Sequence, residues 1–133
     1  MAHKVVAHFQ RGLLIKGEAE SIHPDRPICH IVTRDRRIVP VPLAELKALF
    51  VVKDLDGNSS YVERQAIEPA DVRTAGAKRL EIMFTDGECL FVLAPAYDES
   101  RAFFFVLPAD TNSNNIRILV NRAAVASVRM LRP

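Results

Sequence analysis

The chain of 133 residues contains no tryptophan, only two cysteines and five glycines, and no long hydrophobic run. Cys29 and Cys89 have neither a CxxC spacing nor a histidine cluster beside them. That excludes a zinc ribbon and a redox pair, and leaves two thiols that read as small buried core residues. Lys, Arg, Asp or Glu breaks every apolar stretch well short of a membrane span. The opening "MAHKVVAHFQRG" reads at once as a strand and has no apolar core of a secretion signal, so a cytoplasmic location is expected. Catalytic signatures are equally missing: no GxSxG, no HExxH, no glycine-rich phosphate loop and no cysteine with a base in reach by spacing. The reading is of a binding module and not an enzyme, with no cofactor and no metal.

What is present is material for strands. Apolar residues make up 49% and charged residues 26%, enough for a folded core with a solvated surface. The net charge of +2 is unevenly spread. Residues 1–53 carry nine Lys and Arg against five Asp and Glu; residues 54–77 carry two against five; residues 78–133 carry seven against six. A basic first third and an acidic middle follow, an asymmetry too small to define a nucleic-acid surface by itself.

The stretch "MFTDGECLF", residues 83–91, spells a hairpin around an Asp-Gly turn, and "FQRG" at Phe9–Gly12 repeats its "FTDG" 75 residues upstream. Aligned on these glycines, "KVVAHFQRGLLIKGEAE" lies over "RLEIMFTDGECLFVLAP", Arg26 over Arg101 and Ile31 over Val106. Beyond Asp35 the second copy inserts a few residues in "ADTNSNN", after which "RIVPV" matches "IRILV" and "LKALFVV" matches "VASVRML". Each copy reads as five strands with a short helical turn before the last. In "VPLAEL" Pro42 suits the first position of that turn, and in "VNRAAV" Asn121 suits its cap. The expected organisation is a first small β-barrel over 1–53, an acidic connecting segment over 54–77 with one short helical stretch, and a second barrel over 78–133.

Five short strands, a Gly turn after the first, a polar loop after the second and a helical turn before the last resemble an SH3-like barrel of the Sm-like kind, twice in tandem. The line "VPLAELKALFVVKDLDG" is also similar to bacterial domains without an assigned activity. The first resemblance implies RNA as a ligand. Of that family's loop Asp and Asn, only Asp98 has a match; the other positions hold His23, Pro27 and Ala102.

Alternation then sorts the faces. Val5, Ala7 and Phe9, and their counterparts Leu80, Ile82 and Phe84, point inward. On the second strand Leu14, Lys16 and Glu18 point out, and the matching residues Cys89, Phe91 and Leu93 are apolar. With Met83, Phe103 and Phe105, Phe91 and Leu93 predict an outer hydrophobic patch on the second copy, a protein interface covered either within the chain or by another chain. The anionic alternative is an RNA surface built from Arg34, Arg36 and Arg37 in "TRDRRI", extended by Arg26 and Arg101 in equivalent loops. "DLDGNSSYVE" has its Gly and Glu at the wrong positions for a calcium loop and reads as a solvated turn.

Overall fold

The computed structural model describes residues 2–57, 77–95 and 97–131. Residues 58–76, and with them most of the connecting segment and its expected helical stretch, lie outside the described residues. No α-helix is found among the described residues; the chain is one open, ten-stranded antiparallel sheet. Its strands are β1 (His3–Phe9), β2 (Leu14–Ala19), β3 (Ile28–Thr33), β4 (Ile38–Pro42), β5 (Leu46–Val52), β6 (Ala77–Phe84), β7 (Cys89–Pro95), β8 (Phe103–Pro108), β9 (Asn115–Asn121) and β10 (Val125–Met130).

The order across the sheet is β10-β6-β7-β8-β9-β5-β1-β2-β3-β4. Read within each half, it is the same twice: fifth strand, first, second, third, fourth. The halves meet where β9 pairs with β5, Leu49 opposite Leu119 and Val51 opposite Arg117.

Local chemistry explains the recurrence. Gly12 and Gly87 take φ of 91° and 93°, and each turn is closed by the same two hydrogen bonds. Phe9 N–H donates to Leu13 O and Gly12 N–H to Phe9 O; Phe84 N–H donates to Glu88 O and Gly87 N–H to Phe84 O. Only a residue without a Cβ takes that backbone freely. A 3₁₀ turn, Leu43–Glu45, precedes β5, and Arg122–Ala124 precedes β10. Asn121 caps the latter as expected, its side chain accepting from Ala123 N–H at 3.0 Å. Pro42 stands one position earlier than expected, as the extended N-cap residue. Its fixed φ still delivers the chain into the turn.

Strand alternation places the core as expected. Val5, Ala7, Phe9, Leu80, Ile82 and Phe84 are all buried. Two clusters form, one mainly in each half, and they exchange residues at the joint. Leu119 of β9 belongs to the first cluster, with Phe103 and Phe105 packed against it, while Ala48 of β5 belongs to the second, with Phe50 packed against it. Each fully buried Leu or Phe stabilises by about 1.5–3 kcal/mol, so the joint is part of the core and not a loose contact between finished units.

Gly17 of β2 passes close to the backbone of β3. A Cβ there would stand 2.2 Å from the Val32 carbonyl oxygen, closer than two such atoms can approach. The glycine is the condition for β2 and β3 to meet.

Candidate binding site

The open end of the first half carries an apolar face. On β3, Cys29 and Ile31 point into the core, which turns Ile28, His30 and Val32 outward. Val32 lies opposite Ile38 and His30 opposite Pro40 on the edge strand β4. Ile28, Val32 and Ile38 are 45%, 42% and 68% exposed. They line a groove of about 400 Å³ whose polar wall includes Glu18, Glu20, His23 and Arg26. β-Branched side chains fit a pleated strand from either face, so this surface costs nothing in strand propensity. It does cost hydration, as three large aliphatic groups on two paired strands stay in contact with water. Cys29 forms part of the lining, but burial pushes its thiol up, away from the reactive thiolate.

The outer patch expected on the second half does not assemble as one surface. Met83 is exposed and Phe91 half-buried, but Leu93, expected outside, is fully buried. The loop after β8 is tied to this strand by Ala109 N–H donating to Phe91 O. Phe103 and Phe105 are half-buried against the first core, and the Arg117 guanidinium stands 4.5 Å from the Phe105 ring. The first half therefore covers part of the expected patch, one of the two coverings that the sequence left open.

The arginines fall into three settings. Arg34 pairs with Asp56 at 2.9 Å, and Arg37 with Asp35 at 2.7 Å. The Thr33 hydroxyl and then Arg37 hold the Asp35 carboxyl below its usual range. Arg36 sits between them at a φ of 67°, in the left-handed position of a turn that closes through Thr33 N–H to Arg37 O. Arg26 and Arg101 close equivalent turns, their N–H groups donating to His23 O and Asp98 O. Asp98 is likewise lowered, first by the Ser100 hydroxyl and N–H and then by the charges of Arg101 and Arg122.

Two side-chain contacts that hold the halves together went unread in the sequence. Lys47, buried on β5, reaches the Asp-Gly turn of the second half, 2.7 Å from Asp86 and also bonded to Glu88, with the Phe84 ring 4.8 Å away. Asn121 Nδ2 donates to Leu46 O at 2.8 Å and Ala44 O at 3.3 Å across the joint. The cap role of Asn121 was legible, but both contacts join partners 39 to 77 positions apart, which no local pattern reveals. Two of the exposed trio were legible, since "ICHIVT" alternates Cys29 and Ile31 with Ile28, His30 and Val32.

Among the described residues no group of three or more His, Cys, Asp or Glu could hold a metal ion, and no helix is long and apolar enough to cross a membrane. The fold and its surfaces define a mostly β protein of internally repeated strand order with an apolar face at one end of the sheet. The chain belongs to a family of unknown function, DUF6982, whose model matches residues 1–132. None of the curated proteins compared with it matches.

Proposed function

We propose that the chain is a tandem pair of small Sm-like or SH3-like barrels serving as a non-enzymatic binding module, and that it acts through protein–protein contact at the outer face of β3 and β4. The observation that carries this reading is the exposure of Ile28, Val32 and Ile38 on neighbouring strands beside a groove. The repeated order of five strands supports the tandem organisation. Protein interfaces draw on apolar surface of this kind, with a polar rim of the sort Glu18, Glu20 and Arg26 supply here.

Nucleic acid is the second reading. Pairing of Arg34 and Arg37 with carboxylates weighs against it, because paired guanidinium groups offer less charge to phosphate. A photo-reactive residue placed at position 38, and in a second variant at position 36, separates the two in cells expressing the chain. Protein adducts at position 38 that withstand high salt and vanish with Val32→Asp support the module. Nucleic-acid adducts at position 36 that disappear at high salt, with none to protein at 38, move the assignment to the arginine loops.

A further inference from the structure

The chain's internal joint has an unused counterpart at each end of the sheet. By the repeat, β4 corresponds to β9 and β10 to β5, and the internal joint is made by β9 lying against β5. β4 and β10 are the two edge strands of the sheet among the described residues. Burial follows the same logic. Leu46, Leu49 and Val51 of β5 are buried at the joint, whereas their counterparts Val125 and Val128 are half-buried and Met130 is 52% exposed. Phe103 is half-buried against the first core, whereas its counterpart Ile28 is exposed. One end of the sheet exposes what the joint covers from one side, and the other end exposes what it covers from the other.

Backbone groups agree with the side chains. Thr33 N–H donates to Arg37 O and Leu43 N–H to Pro27 O, so the odd residues of β4 face β3 and Ile38, Pro40 and Pro42 face the open edge. The Pro42 carbonyl is taken by the 3₁₀ turn that it caps, so that edge offers the carbonyl acceptors of Ile38 and Pro40 and the single N–H of Ile38. At the other end Leu131 N–H donates to Arg79 O, so Arg129 faces β6 and the N–H groups of Val128 and Met130 face outward. An edge rich in acceptors and an edge with free donors are complementary.

Resting on the reading as a protein-binding module, we propose that the partner at the β3–β4 face is a second copy of this chain, whose β10 adds to β4 head to tail as β5 adds to β9. The register inherited from the internal joint sets Val128 opposite Pro40 and Met130 opposite Ile38. Such an interface joins unlike surfaces and leaves one of each free, so it builds a ring or an open chain and not a closed dimer. Pro40 removes a donor that Leu119 supplies inside the chain, which weakens the external joint and makes assembly concentration-dependent.

Sedimentation velocity of the full chain over a concentration series tests this. The mass of the unaltered chain should rise beyond a dimer, insensitive to salt. Ile38→Asp and Met130→Pro, both at exposed positions, should each remain monomeric while keeping their circular dichroism, and an equimolar mixture should form a one-to-one pair and stop there. Pro40→Val, which restores the donor, should tighten association about fivefold, the worth of one net hydrogen bond; this gain is independent of any folding defect in the other variants. A chain monomeric at every concentration with and without Pro40→Val overturns the joint, and protein adducts at position 38 would then leave the module reading intact with a different partner. Self-association that survives Ile38→Asp but not Met130→Pro points to pairing of two β10 edges and equally overturns it.

Discussion

Lys47 Nζ of the first half lies 2.7 Å from Asp86 Oδ2 in the hairpin turn of the second, with the lysine buried and the carboxylate half-exposed. Burial works against the ammonium, yet its bonds to Asp86 and Glu88 prevail and hold it above the ordinary lysine range. The bond from Lys47, aided by Glu88 N–H, holds Asp86 below the ordinary carboxylate range. The pair ties the joint to the opposite half's turn, and it sets a pH window.

Lys47→Met should lower unfolding stability at neutral pH by about 1.5–3 kcal/mol, the usual worth of hydrogen bonds to charged groups. Because Asp86 is depressed, its contribution is present above about pH 4 and is lost as pH falls through its lower folded value. Because Lys47 is raised, its contribution is present below about pH 10 and is lost as pH rises through its higher folded value. Urea titrations of both proteins from pH 2 to 11 should show a gap that is flat in the middle, closes at the acid end and begins to narrow at the alkaline end. A gap that stays constant at pH 2 would assign the effect to packing of the lysine stem.

Gly17→Ala should cost about 4 kcal/mol or more, since the new methyl meets the Val32 carbonyl, a backbone atom that cannot turn aside. Gly87→Ala has open space around it and meets only the strain of a φ of 93°, about 1–2 kcal/mol. Equal losses in thermal unfolding would contradict the close approach of β2 and β3.

Asn121→Ala removes both the cap on Ala123 and the donor to Leu46 O, for an expected loss of about 2–3 kcal/mol. Asn121→Asp keeps the acceptor for Ala123 but sets a carboxylate against buried carbonyls. Its loss should therefore be larger at pH 7 than at pH 3, where the protonated acid can donate. Denaturant midpoints at the two pH values decide this.

Arg36→Gly should stabilise by about 0.5–1 kcal/mol, the left-handed strain relieved less the entropy of the added glycine. The same variant, measured for retention of nucleic acid at low salt, reports on the arginine-loop reading at no cost in folding.

Much of the local architecture was legible. A period of two in "KVVAHF" and "KRLEIMF", turn glycines at equivalent offsets and the Asn121 cap all act over a few residues, where sterics and hydrogen bonding leave few choices. The candidate face was half legible. "ICHIVT" carries the alternation that exposes Ile28 and Val32, but alternation says only which side of a strand a residue occupies, not whether another strand will cover that side. For that reason the covering of Phe103 and Phe105, within the chain or by another chain, stayed open in the sequence, and Leu93 read as an outward residue.

The sequence by itself determined the strands, their inward and outward faces and the repetition of one pattern, because these follow from backbone geometry and neighbours close in the chain. Only the tertiary structure decided that β9 would lie against β5, that Lys47 would find Asp86 and that one apolar face would be covered while its counterpart stayed open. Those outcomes depend on pairing distant segments, where the gain comes from burying shared surface and no single residue announces its partner.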